Sequence, residues 1–151
     1  MRTAQEWLDA YGESHQNPTN KKIHWLCIPW IMISVLGLIA AIPSPFEHFW
    51  LNWATGVAVL AVVYYALISI PLALGMAVIS AVMLAIVQGI AGLPIPLWAS
   101  SLGIFVIAWI LQFVGHKIEG KKPSFFEDLQ FLLIGPMWLL AALYRRVGIA
   151  Y

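Results

Sequence analysis

Residues 50–91 form one apolar stretch that is too long for a single helix crossing a lipid bilayer. About 20 apolar residues span the hydrocarbon core of a bilayer, so this stretch has room for two helices. Pro71 is the natural point of division, because proline removes a backbone donor and interrupts a helix. The stretch therefore predicts two membrane spans, near residues 50–69 and near residues 71–91.

Two further apolar segments of spanning length flank this stretch, at residues 23–42 and about 97–116. A last apolar piece, FLLIGPMWLLAALY, is shorter and contains Gly135 and Pro136. Three forms are open for it: a short tilted fifth span, a re-entrant hairpin or an interfacial helix. We therefore predict four transmembrane helices followed by one of these three forms.

The composition indicates a protein that resides in a membrane. Of the 151 residues, 62% are hydrophobic and 10% are charged, whereas about a quarter of a soluble domain is charged. The net charge of +1 provides no basic surface for nucleic acid, and the single cysteine excludes an internal disulfide. The predicted fold is an all-α integral membrane bundle, with one domain over residues 1–151.

An amphipathic helix is predicted ahead of the first span. Thr3 is suited to cap it. One face carries apolar side chains at helical spacing, namely Trp7, Leu8 and Tyr11. This face would lie on the membrane surface or against the bundle. Thr19 or Asn20, after the turn at Pro18, is expected to cap the first span.

The lysines orient the predicted helices. Two clusters flank the spans, one before the first and one after the fourth, and their members are Lys21, Lys22, Lys117, Lys121 and Lys122. With four spans and a cytoplasmic N-terminus, both clusters lie inside, as the positive-inside rule requires. Arg145 and Arg146 also lie inside only if the last segment does not cross. A bacterial inner membrane is favoured over an endoplasmic-reticulum membrane.

This topology brings three histidines to one layer on the cytoplasmic side. His24 is at the mouth of the first span, His116 at the mouth of the fourth, and His15 lies on the segment leading in. Imidazole is a common ligand for iron, zinc and copper, and ionisable groups at membrane depth usually serve a function. We therefore predict His15, His24 and His116 as catalytic metal ligands.

Local spacing suggests groups that support the histidines. Asn20 precedes His24 by four residues, and Gln112 precedes His116 by four. Glu119 follows His116 by three and is predicted as a fourth ligand. Asn17, Asn20 and Gln112 are predicted to hydrogen-bond around the ligands, as metal-bound histidines require.

Simpler interpretations exist for each of these residues. A histidine at a membrane interface often only hydrogen-bonds a headgroup or a carbonyl, and we assign this role to His48, which lies on the opposite face. The lysines are most simply topology signals; alternatively, Lys21, Lys117 and Lys121 attract an anionic lipid head or a fatty carboxylate.

Other catalytic patterns are absent from the sequence. It contains no phosphate-binding glycine loop, no nucleophile elbow and no His-Glu-x-x-His helix. Four histidines are too few for the several clusters of membrane di-iron hydroxylases. A mononuclear site needs only about three protein ligands and leaves positions open for substrate and oxygen.

Two polar blocks carry a resemblance to a known family. YGESHQNPTNKKIHWLCIP and QFVGHKIEGKKPSFFEDLQFLLIGP resemble the signature blocks of small membrane proteins once classed as a domain of unknown function. The fungal member is an endoplasmic-reticulum 2-hydroxy fatty acid dioxygenase of phytosphingosine breakdown. The resemblance extends from Tyr11 to Pro136, and the family histidines match His15, His24 and His116.

The resemblance implies an iron(II)-dependent alpha-oxidation. A 2-hydroxy fatty acid would react with O2 and become a fatty acid one carbon shorter. The implied partners are this substrate, O2 and membrane lipid, with the acyl chain between apolar spans and a lysine near the carboxylate. A non-catalytic lipid-binding or membrane-organising protein is the alternative, and a small transporter subunit ranks last.

Overall fold

The computed structural model describes residues 2–46, 50–126 and 129–151, and this part of the chain is helical without strands. A short 3-10 turn at Ser124–Phe126 precedes the last helix. The six α-helices are α1 (Ala4–Gly12), α2 (Pro18–Ala40), α3 (Trp53–Ala66), α4 (Ile70–Ala91), α5 (Leu97–Glu119) and α6 (Phe131–Val147). His48 lies outside the described residues.

Among the described residues, three helices are long and apolar enough to cross a membrane: α2, α4 and α5. The shorter α3 is apolar but has 14 residues, which advance only about 21 Å against a hydrocarbon core of about 30 Å. The division at Pro71 is confirmed, since α4 begins at Ile70 with the proline in its first turn. The fourth crossing itself stays a prediction.

The first helix confirms the predicted amphipathic segment. The Thr3 hydroxyl accepts a hydrogen bond from the Glu6 amide, and the Glu6 carboxylate accepts one from the Thr3 amide, which closes a capping box. The apolar face lies against the bundle, because Trp7 meets Phe131 of α6 edge-on, with ring centroids 5.5 Å apart. This contact holds α1, the helix that precedes His15, against α6.

The cap of α2 differs from the prediction. Asn17, rather than Thr19 or Asn20, is the N-cap, and its side chain accepts from the amides of both those residues. The reason is that Pro18 fits the first helical turn, where its missing amide hydrogen leaves no bond unmade. The helix therefore begins two to three residues earlier than a cap at Thr19 or Asn20 allows.

The helices α2 and α5 run antiparallel in close contact. A methyl group on Gly37 would overlap the Ser101 hydroxyl at one end, and a methyl on Gly115 would overlap the Asn20 side chain at the other. Small residues allow helix backbones to approach closely within a membrane. The two contacts fix the axial register of the helices and place His24 opposite His116.

The last helix closes the bundle against α1, α2, α3 and α4. It is continuous through Gly135 and Pro136, so the re-entrant hairpin among the three predicted forms is wrong. A proline inside a helix is tolerated where neighbouring helices enclose it, and Pro136 is buried. Tyr65 donates to the Leu133 carbonyl at 2.8 Å, and Tyr144 donates to the Pro71 carbonyl at 3.0 Å.

Candidate metal centre

His15 lies in the loop between α1 and α2 and is almost fully buried. Its Nδ1 is 2.6 Å from the Tyr11 carbonyl, and its ring stacks on the Tyr11 ring with centroids 4.1 Å apart. Because a carbonyl only accepts, this bond places the hydrogen on Nδ1 and leaves the Nε2 lone pair free. His15 Nε2 is buried and has no hydrogen-bond partner among the described residues.

His24 is held in the same way, within the second turn of α2. Its Nδ1 lies 3.0 Å from the Asn20 carbonyl, four residues back, and the side chain is 1% exposed. This contact again favours hydrogen on Nδ1 and leaves Nε2 without a hydrogen. Orientation of a ligand histidine through its second nitrogen is a recurring feature of metal sites.

His116 completes the group from α5. Its Nε2 is 3.1 Å from the Nε2 of His24, and its ring centroid is 5.0 Å from that of His15. One nitrogen from each of the three rings can be chosen so that all lie within 4.8 Å of one another. The sequence prediction that the three histidines converge agrees with this arrangement.

The nitrogen positions suit a metal ion. Two nitrogens bound about 2.1 Å from one ion, at right angles, are about 3 Å apart, close to the observed 3.1 Å between His24 and His116. The partnerless, buried Nε2 of His15 supplies a third donor. A hydrogen bond between His24 and His116 would also satisfy the short contact. The three histidines could thus hold a metal ion.

The environment of His15 favours the neutral imidazole, which is the form that binds a metal. Burial lowers its pKa to about 4, against the opposing effect of the Tyr11 carbonyl. The imidazole is therefore neutral at neutral pH, as a metal-binding histidine must be.

Glu119 lies outside the group formed by the three histidines. One carboxylate oxygen accepts from the Gln16 amide at 2.9 Å; the other accepts from the Asn17 amide at 2.9 Å and the Asn20 side chain at 3.0 Å. These bonds tie the end of α5 to the loop that carries His15. The residue that the sequence suggested as a fourth ligand is thus engaged with the loop.

The predicted supporting amides occupy three different positions. Asn17 caps α2, and Asn20 supplies the carbonyl beneath His24 while its side chain also donates to the Ser14 carbonyl. Gln112 is buried, with its side chain beside His24, and it lines the pocket that the three histidines share, here called the histidine pocket. From α5 its side chain therefore reaches a histidine of α2, whereas the spacing had pointed to His116.

The predicted carboxylate-binding lysines surround the site without lining it. Lys121 donates to the Glu13 carbonyl at 2.8 Å, Lys117 is exposed and Lys21 is half-buried. The described lining of the histidine pocket contains no lysine. Their role toward a substrate stays a prediction.

Three supporting residues were missed by the sequence analysis. Tyr11 holds His15 through its carbonyl and its ring, and the Ser14 and Ser124 hydroxyls are 2.5 Å apart. Tyr11 precedes His15 by four residues, which is the same spacing that pointed to Asn20, so this signal was available. The serine pair joins distant segments, and no local spacing reveals it.

Comparisons with known proteins identify the family of the chain. A family model described as 2-hydroxy-palmitic acid dioxygenase Mpo1-like matches residues 1–147. The 2-hydroxy-palmitic acid dioxygenase MPO1 of Saccharomyces cerevisiae is 27% identical over 144 residues, covering 93% of this chain and 79% of the yeast protein. No solved structure matches the chain. Since the family model covers nearly the whole sequence, the chain belongs to the Mpo1-like family.

Proposed function

We propose that the protein is an iron(II)-dependent dioxygenase that converts a 2-hydroxy fatty acid into a fatty acid one carbon shorter. Family membership supports the reaction class. The observation that carries the proposal is the buried group of His15, His24 and His116. The three histidines line a pocket whose other walls are mainly apolar. Iron(II) held by three histidines keeps coordination positions open for substrate and oxygen.

The proposed reaction balances without an external reductant. The bond between carbons 1 and 2 of the 2-hydroxy acid breaks, carbon 2 is oxidised to the new carboxyl group, and O2 is reduced. Carbon dioxide and water are the other products. The iron, when bound, supplies redox chemistry toward O2 and a Lewis acid for the hydroxyl and carboxylate oxygens.

The protein's residues orient the site and exclude water. The carbonyls of Tyr11 and Asn20 fix the ring orientation of His15 and His24. Glu119 holds the loop between them through three hydrogen bonds, and we assign it this positioning role. Burial of the three rings limits the access of bulk water to them.

A direct assay tests the proposed function. Purified protein, loaded anaerobically with iron(II), is given 2-hydroxyhexadecanoic acid and O2, and the products are separated by mass spectrometry. We expect pentadecanoic acid in proportion to bound iron, with none from metal-free protein. Iron-loaded protein that forms no shortened acid at any chain length contradicts the proposal.

The lipid-binding alternative has its own support in the apolar cavity beside the site. It predicts that alanine at His15, His24 and His116 leaves lipid binding and cellular function intact. The dioxygenase proposal predicts instead that such a variant still binds the fatty acid but does not shorten it.

A further inference from the structure

An apolar cavity of about 290 Å³ adjoins the histidine pocket. It lies between α2, α3, α4, α5 and α6. The neck between pocket and cavity consists of the residues that line both, namely Ile31, Met32, Trp109, Leu132 and Pro136. From the neck the cavity extends along α2 to Leu36 and along α3 to Val57 and Ala58.

The dimensions of the cavity suit a long alkyl chain. His24 and Leu36 are 12 residues apart on α2 (36 − 24), which corresponds to about 18 Å along the helix. An extended alkyl chain with bonds of about 1.5 Å advances roughly 1.3 Å per carbon, so about 14 carbons cover this length. If a methylene occupies about the volume of a water molecule, roughly 30 Å³, the cavity itself holds about ten of these carbons.

We propose that this cavity binds the acyl chain of the substrate and that Val57 and Leu36, at its far end, set the longest chain accepted. The inference rests on the proposed function and adds the site for the chain. An occupant must combine one alkyl chain with a compact polar head that reaches the histidines. A free 2-hydroxy fatty acid has this form, whereas a phospholipid has two chains and a bulky head.

A second apolar cavity, of about 210 Å³, offers a competing route. It lies between α2, α4 and α6, with Met83 and Leu143 in its lining, and shares Ile28, Met32 and Pro136 with the histidine pocket. Its described lining contains no residue of α5. Because the polar head must lie between His24 on α2 and His116 on α5, the larger cavity bordered by both helices is the better continuation.

Photo-crosslinking locates the chain without requiring turnover. The probes are two forms of 2-hydroxyhexadecanoic acid that carry a diazirine at mid-chain or at the chain end. We expect the mid-chain probe to label Ile31, Trp109 or Leu132, and the end probe to label Val57, Ala58 or Ser80. Labelling of Met83 and Leu143 would overturn the assignment in favour of the smaller cavity. Labelling confined to the exposed Leu60 and Ile107 would overturn it altogether.

A matched pair of valines on α3 tests the control of chain length. Val57 lines the cavity and is 41% exposed, whereas Val59 is 57% exposed and is absent from the described lining. We expect Val57→Phe to lower the ratio of hexadecanoyl to dodecanoyl substrate turnover by about tenfold, and Val59→Phe to leave it unchanged. Leu36→Ala should shift the preference toward longer chains.

The outcomes separate this inference from the proposed function. An unchanged chain-length ratio in active Val57→Phe protein overturns the inference alone. Absence of turnover in the wild-type protein counts against the proposed function, while the crosslinking pattern still decides whether the cavity binds the chain.

Discussion

The layer around the histidines is held by hydrogen bonds, whereas the cavity beside it is formed by apolar packing. In the layer, directed hydrogen bonds set positions: the Tyr11 and Asn20 carbonyls orient two rings, and Glu119 binds two amides and a side chain. The cavity is lined mainly by apolar side chains, such as the buried Leu36 and the partly exposed Val57. Hydrogen bonds depend steeply on geometry, whereas apolar packing tolerates exchange of similar volumes. Substitutions in the layer should therefore impair metal binding and turnover, whereas substitutions in the cavity should adjust the chain-length preference.

Removal of one histidine should have the largest effect. We expect His116→Ala to lower iron affinity and turnover by more than about 100-fold, because loss of a ligand exceeds the usual effect of losing a supporting group. Iron content by mass spectrometry and product formation measure both quantities. His48→Ala, which changes a histidine outside the predicted site, is the control and should match the wild-type protein. Full iron content in His116→Ala would remove this residue from the site.

Replacement of Glu119 separates positioning from ligation. We expect Glu119→Gln to lower iron affinity by about tenfold while the iron that binds still reaches one per chain, because the amide oxygen still accepts from the loop. An electron paramagnetic resonance spectrum of the nitrosyl complex should match that of the wild-type protein. A changed spectrum together with loss of stoichiometric iron would instead make Glu119 a ligand.

The contact between α2 and α5 can be tested with two glycines of one helix. We expect Gly115→Ala to destabilise the protein by about 1–3 kcal/mol, because the methyl group overlaps the Asn20 side chain. Gly103→Ala is the control, since a methyl group there meets nothing within 4 Å. Thermal unfolding in detergent gives both values. Equal melting temperatures would mean that the two helices are less closely packed than the structure shows.

The smallest effect is expected at the lysines. If Lys117 attracts the substrate carboxylate from its exposed position, Lys117→Ala should raise the KM for the hydroxy acid by about threefold, as exposed charge pairs contribute little. Steady-state kinetics at low and high salt measures the change, which should disappear at high salt. Lys122→Ala serves as the control on the same face. Equal KM values in all three proteins would leave the lysines as topology signals.

The sequence was informative where a residue type has few roles. Long apolar segments predicted α2, α4 and α5, and Pro71 marked the start of α4. A histidine beside an apolar span can be placed at low free-energy cost in only a few positions. The convergence of the three histidines could therefore be inferred from topology.

Other features could not be predicted because local spacing leaves several partners open. Glu119 is three residues from His116 and could face an ion or a loop; only the fold places the amides of Gln16 and Asn17 beside it. The shortness of α3 is another example, since Asn52 caps the helix at Trp53 within an apolar stretch that hydropathy treats as uniform. The cavity depends on packing among five helices, and no local pattern encodes it.

The antiparallel pairing of α2 and α5 has a consequence for distant substitutions. Sliding one helix past the other by a single residue moves it about 1.5 Å, half of the 3.1 Å that separates the facing nitrogens of His24 and His116. The close contact between Gly37 and Ser101, at the opposite end of the helix pair, opposes such a shift. A bulky side chain there would misalign the two imidazoles from the far side of the bundle.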